Sequence, residues 1–244
     1  MINKGIVVGL AIVLLGIVSL TISVTNKGAS VVFCDVGQGD AAMVYSGYFQ
    51  ALVDVGPSGD DLNKCISGKI PAGDKKIDLV FVSHPQRDHE GALSWLEKNF
   101  EIGKVVRGGI GDIYRYEDLY FEILDGVEPN EVVTENENDD SLVVLFKGGG
   151  RSVLFTGDIG FKRELALIAN GVLEKIDVLK VAHHGSKYST GKEFLEKVRP
   201  GLAVISVGEK NSYGHPSREV LILFEQLGVG LWRTDKQGEL VVKL

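Results

Sequence analysis

The first apolar run of the chain has no polar face. Residues 5–24 (GIVVGLAIVLLGIVSLTISV) contain no charged side chain. A helix of about twenty residues spans about 30 Å, the thickness of a hydrocarbon core. The run is uniformly apolar and terminal, which argues against a buried core helix. Lys4 precedes it and Lys27 follows it. Lys4 and the amino terminus slightly favour that end in the cytoplasm. Residues 1–28 are therefore expected to form one N-terminal transmembrane helix, an uncleaved anchor that leaves residues 29–244 outside the membrane. The alternative is a signal segment cleaved near Gly28-Ala29-Ser30 and a secreted product, although signal peptides usually have a shorter apolar region.

Beyond residue 29 the apolar positions come in short runs divided by glycine and polar turns. Residues 30–36 read as a buried strand, 37–40 (GQGD) as a turn, and 41–45 and 50–54 as two further strands of a meander. Residues 77–83 are a buried strand that ends at His84, and 90–99 read as a helix with Leu93, Leu96 and Phe100 on its apolar side. Short strands at 104–106 and 119–124 lead to an acidic loop at 131–140. Strands 141–146 and 152–156 form a hairpin through Gly148-Gly149-Gly150. After it the pattern alternates: helix 162–170, strand 177–182, helix 192–198, strand 202–207, helix 218–227, then strands 231–234 and 240–244. Strands first and alternation later predict an α+β domain of two face-to-face sheets with helices outside. No internal repeat, low-complexity tract or linker divides residues 29–244.

Composition narrows this little. About 215 residues are enough for one domain with a sizeable core. The net charge of -7 gives no global attraction to polyanions and argues against tight, sequence-independent nucleic-acid binding. Cys34 and Cys65 do not make a disulfide framework. Cys34 lies in an apolar run and reads as a small core residue, while a single bridge stays compatible with an oxidising compartment.

The chemistry lies in the histidines. All 5 fall into three clusters: His84 and His89, His183 and His184, and His215. Imidazole and carboxylate are ligands that zinc, manganese and iron prefer. His84-x-x-x-Asp88-His89 sits between a strand and a helix, where a tight loop aims side chains at one spot. Asp158, His183-His184-Gly185-Ser186 and Asn211 to Pro216 each follow another strand. Taken singly, each has an ordinary explanation in capping or turn formation.

Together these segments resemble the metallo-β-lactamase superfamily, and within it the hydrolase domain at the C-terminal end of the ComEC competence proteins. The resemblance rests on residues 35–40 (DVGQGD), 52–56 (LVDVG), 83–89, 138–142 (NDDSL), 155–158 (FTGD), 183–186 and 211–216, in that order. It implies a four-layer αββα sandwich of metallo-β-lactamase type, with the metal site at one edge between the sheets. It implies one or two divalent ions, zinc or manganese, held by His84, Asp88, His89, Asp158 and His183. Asp54 would orient those ligands from behind. Asp35, Asp40, Asn138, Ser141 and Ser186 would support the site or touch substrate. Asp88 and Asp158 would position the attacking water. His184 and His215 would line the site as further ligand, substrate contact or the donor that protonates the leaving group.

The chain also departs from the family pattern. The superfamily's fuller loop is H-x-H-x-D-H, and Gln86 stands where the second histidine would be. No histidine lies between His89 and His183. One metal subsite is therefore short of nitrogen ligands, which favours a harder ion such as manganese or leaves that subsite weak. The resemblance implies hydrolysis of phosphodiesters, with single-stranded DNA outside the membrane as the substrate, and Arg87 and Lys187 offsetting the acidic field locally. Hydrolysis of a small ester, thioester or lactone is the competing activity, and a non-catalytic membrane-anchored binding domain the competing class. No obligate protein partner is evident.

Overall fold

A computed structural model describes residues 28–126 and 137–244. The transmembrane expectation falls on residues outside this set. Among the described residues no helix is long and apolar enough to cross a membrane.

The chain order is β1 (Ser30–Phe33), β2 (Ala41–Ser46), β3 (Phe49–Val55), α1 (Gly59–Ile66), β4 (Lys76–Phe81), α2 (Arg87–Glu90), α3 (Leu93–Asn99), β5 (Glu101–Val106), β6 (Ile113–Tyr116) and β7 (Leu119–Asp125). It continues with β8 (Val143–Gly148), β9 (Arg151–Phe155), α4 (Phe161–Ala169), β10 (Val178–Lys180), α5 (Lys192–Val198), β11 (Leu202–Ile205), α6 (Arg218–Leu227), β12 (Gly230–Arg233), α7 (Thr234–Gln237) and β13 (Leu240–Lys243). One sheet runs β13-β1-β2-β3-β4-β5 and the other β12-β11-β10-β9-β8-β7-β6. Both are mixed. β3, β4 and β5 run parallel in the first, and β9, β10, β11 and β12 in the second.

Period-two alternation builds the layers. Val31, Phe33, Val44, Ala51 and Val53 of the first sheet meet Phe121, Val144, Phe146, Val153 and Phe155 of the second in one inter-sheet core. Phe81 stacks on Phe121 across it at 5.2 Å between ring centroids. The intervening residues face outward and are covered by helices. Val32, Met43 and Leu52 lie under Leu62, Ile66 and Leu96 from α1 and α3. Leu145, Leu154, Leu179 and Ile205 lie under Leu167, Phe194, Val220 and Phe224 from α4, α5 and α6. The result is an αββα sandwich. Each large apolar side chain buried this way contributes about 1.5–3 kcal/mol.

The structure refines the elements at three places. The helix expected over 90–99 is broken, because the Ala92 amide donates to Gly56 O at 2.9 Å and docks the chain on the end of β3. Helix α1 and strand β6 were not expected. Cys34, expected as a core residue, is fully buried and also bonded to Cys65, 31 residues away. The bridge ties α1 to the outer face of the first sheet.

Candidate metal centre

Parallel strands place their carboxyl ends on one edge, and the chemistry gathers there. Asp54 ends β3. Ser83 to His89 follow β4, Thr156 to Asp158 follow β9, and Ala182 to Ser186 follow β10. Asp40 arrives from the β1–β2 turn, held by its amide to Asp88 O at 3.0 Å. Two glycines permit the crowding. A Cβ at Gly39 would lie 2.3 Å from Asp88 O, and one at Gly157 would lie 2.6 Å from the Ser141 Cβ.

The imidazoles are oriented from behind. Asp54 accepts from the Ser83 amide at 2.7 Å and the Ser83 hydroxyl at 2.8 Å, and its Oδ2 lies 2.9 Å from His89 Nδ1. Asp54 reaches this position with a φ of 57°, in the left-handed region, a strain that persists where surrounding contacts fix it. Ser83 Oγ is also 3.0 Å from His84 Nδ1. His184 Nδ1 donates to Ser206 O at 2.9 Å. With each Nδ1 engaged, the Nε2 lone pairs of His84, His89 and His184 point into the centre.

The centre itself is compact. His89 Nε2 lies 3.4 Å from Asp158 Oδ1, and His184 Nε2 lies 3.6 Å from Asp158 Oδ2 and 3.3 Å from Asp88 Oδ2. Asp158 thus presents its two oxygens to different imidazoles. Ser141 Oγ accepts from the Asp158 amide at 3.0 Å and lies 3.3 Å from His84 Nδ1. Ligand atoms of His84, His89 and Asp158 lie within 4.8 Å of one another, as do those of Asp88, His89 and His184.

Several residues take places that their spacing did not disclose. His183 and His184 both adopt positive φ, 49° and 51°. His184 is buried in the centre, while His183 sits at the rim with Nε2 3.9 Å from Asp158 Oδ2. His184, and not His183, therefore stands among the clustered ligand atoms. His215 is half-buried, its ring edge-on to His183 at 5.5 Å. Burial and the nearby His183 and His184 push its pKa down. Asp35 does not join the centre: it is exposed, and its carboxylate accepts from the Gly37 amide at 3.3 Å within its own turn. Ser186 Oγ accepts from the Tyr188 amide at 3.3 Å, so it shapes a loop. Asn138 Oδ1 accepts from Gln86 Nε2 at 2.9 Å. The amide that replaces the family histidine is thereby paired with the segment that replaces the later one.

Lys180 was missed. It is buried on the inter-sheet side of β10, next but one to Val178, and its ammonium pairs with Asp40 Oδ2. Asp40 in turn lies 3.4 Å from His184 Nδ1 and 3.8 Å from His89 Nδ1. A lysine in an apolar strand, in step with an inward-facing valine, was the available signal.

A sequence profile of the metallo-beta-lactamase superfamily matches residues 34–209. The chain belongs to the metallo-β-lactamase superfamily. This superfamily member is similar to ComE operon protein 3 of Bacillus subtilis, at 32% identity over 192 residues, 68% of this chain and 24% of that protein. It is also similar to Recombination protein 2 of Haemophilus influenzae, at 35% identity over 224 residues, 85% of this chain and 28% of that protein. The chain thus spans about a quarter of the length of these curated relatives. Among solved structures, the metallo-beta-lactamase fold protein YhfI from Bacillus subtilis superposes with a TM-score of 0.62 at 14% identity, covering 89% of this chain and all of YhfI.

The residues of this metallo-β-lactamase fold fit a divalent cation. His84 Nε2, His89 Nε2 and Asp158 Oδ1 are buried without a hydrogen-bond partner, and such groups are normally satisfied. Charge points the same way. Asp40, Asp54, Asp88 and Asp158 surround the histidines, with Lys180 as the buried ammonium among them. Burial lowers the His89 pKa, but Asp158 and Asp54 hold it well above the ordinary imidazole range. His184, likewise opposed by burial and raised by Asp158 and Asp40, is pushed up to about 10. Burial raises the Asp158 carboxyl, yet His89, His184 and Lys180 hold it well below its usual range. Without a metal the carboxylates draw protons onto their imidazoles; a divalent cation replaces those protons. The chain is a metal-dependent hydrolase of this superfamily.

Proposed function

We propose that this metallohydrolase is a phosphodiesterase that cleaves DNA, preferentially single strands, outside the membrane. The observation that carries the reading is the convergence of Asp88, His89, Asp158 and His184 on one buried point at the sheet edge. That pocket is rich in oxygen, which suits manganese or another hard ion as well as zinc. The pocket around His84 has His84 as the one imidazole of its own, shares His89 and Asp158 with the first, and is the weaker of the two. The substrate class is supported by similarity to Recombination protein 2 and to Competence protein ComA of Neisseria gonorrhoeae, the latter at 30% identity over 234 residues.

A bound divalent ion would lower the pKa of water and offset charge on a phosphoryl oxygen. This chain's residues do the rest. Asp88 and Asp158 accept hydrogen bonds from the attacking water and fix its approach. Asp54 and Ser206 hold His89 and His184 in register. His183 and His215 at the rim donate hydrogen bonds to the incoming phosphate.

Location is part of the proposal. The apolar run at 5–24 is read as an anchor, and a formed Cys34–Cys65 bridge supports an oxidising compartment outside the cytoplasm. The test is to purify the full chain with detergent, measure its metal, and incubate it with labelled single-stranded DNA and manganese or zinc. Metal-dependent cleavage that disappears in Asp158→Asn is expected. A metal-loaded chain that cleaves no phosphodiester would reject the reading.

A further inference from the structure

The two most exposed large aromatic side chains among the described residues belong to the loops that follow β10 and β11, the loops that carry His183 and His215. Tyr213 is 70% exposed and Tyr188 65% exposed. Tyr213 belongs to the loop after β11 and Tyr188 to the loop after β10. Tyr213 stacks on His215 at 5.9 Å, nearly parallel at 16°. His215 meets His183 at 5.5 Å, and His183 reaches Asp158. A row of rings therefore runs from solvent to the catalytic carboxylate.

The loops that carry these rings are held at the backbone. Asn211 Oδ1 accepts from the amides of Tyr213 at 3.2 Å and His215 at 3.0 Å, while its Nδ2 donates to Gly208 O and His215 O. Tyr188 donates its amide to Ser186 Oγ and accepts from the Phe161 amide at 3.1 Å. The Lys187 ammonium lies 5.0 Å from the Tyr188 ring. An aromatic ring left in water gains little for the fold, and a loop backbone already ordered lowers the cost of stacking a planar ligand on it. The charge of the chain is -7, so phosphate attraction alone is a poor source of affinity, whereas stacking on a base is indifferent to net charge.

We propose that Tyr213, assisted by Tyr188, stacks unpaired nucleobases and feeds the strand to the metal centre, and that this platform is what selects single strands over duplex. The inference rests on the nuclease reading and gives that site its specificity element.

The test is equilibrium binding of the full chain, in calcium, to labelled (dT)12, to an abasic strand of the same length and to a blunt duplex. The expected result is at least about tenfold tighter binding of (dT)12 than of the other two. Tyr213→Ala should abolish that preference without changing the melting temperature, and Tyr213→Trp should keep it. Equal binding of (dT)12 and the abasic strand, an unaffected Tyr213→Ala, or no binding at all would overturn the proposal. Manganese-dependent cleavage is scored separately. Base-selective binding without cleavage sinks the nuclease reading alone, and cleavage without base preference sinks the platform alone.

Discussion

Lys180 and Asp40 form an ion pair from which solvent is almost excluded, directly behind the imidazoles of the metal centre. Burial raises the Asp40 carboxyl, yet Lys180, His184 and His89 hold it well below its usual range. Removing one member of such a pair leaves an uncompensated buried charge and costs about 3–5 kcal/mol. Lys180→Met should be destabilised by that order in chemical denaturation, and its metal content should fall as His184 loses its backing. Adding Asp40→Asn to Lys180→Met should recover part of the stability, because the orphaned charge is gone. A single variant as stable and as metal-replete as the parent would contradict the positioning role.

Protons and metal compete for the same imidazoles. His89 and His184 carry raised pKa values in the folded chain, whereas an unfolded imidazole titrates near about 6.5. The folded state then holds protons that the unfolded state has released, so stability is lost as pH rises through the folded values. The melting temperature of chelated protein should fall between about pH 7 and about pH 10, the upper limit set by His184. Metal-loaded protein should lose much less over the same window, and metal binding should release protons. Calorimetry in buffers of different ionisation enthalpy reads that release; binding without proton release would refute the account.

Much of this was readable from the pattern of residues. Alternating runs such as 41–45 and 50–54 fix which face meets the other sheet, because a strand's period leaves little choice. Helix α1 was overlooked although Leu62, Cys65 and Ile66 have helical spacing, since its apolar face is only these three residues and Pro57-Ser58-Gly59 before it breaks the pattern. The loop ligands His84, Asp88 and His89 were visible because a strand end and a helix start confine them. What spacing could not convey was depth. His183 and His184 are neighbours in sequence, and only two successive positive φ values put one in the centre and the other at the rim. Lys180 was hidden for a different reason: its partner Asp40 is 140 residues distant in the numbering and meets it only across the two sheets.

That difference in depth gives a direct comparison. His184→Ala should lose most bound metal, since Nε2 faces both Asp88 and Asp158 while Nδ1 is anchored on Ser206. His183→Ala should retain metal and lose activity on substrate. Asp35→Asn should change neither, and should shift stability by no more than about 0.5 kcal/mol, the usual range for an exposed position. Elemental analysis of the three purified variants checks the order, and equal loss in the two histidine variants would mean that His183 also coordinates.

The Cys34–Cys65 bridge closes a loop between residues 31 apart. In the chain-entropy view a loop of that length is worth about 3–4 kcal/mol, since the reduced chain regains the conformations the bridge denies it. In a domain of this size each kcal/mol moves the melting temperature by about 2–4 °C. The double variant Cys34→Ser/Cys65→Ser should therefore melt about 6–16 °C lower, with the loss concentrated where α1 packs on Val32, Met43 and Leu52. Its metal content under native conditions should persist, because neither sulfur is among the ligand clusters. Thiol titration of chain isolated directly from cells adds the compartment: the bridge predicts free thiols only after reduction. Two reactive thiols in the unreduced chain would remove the support for a location outside the cytoplasm.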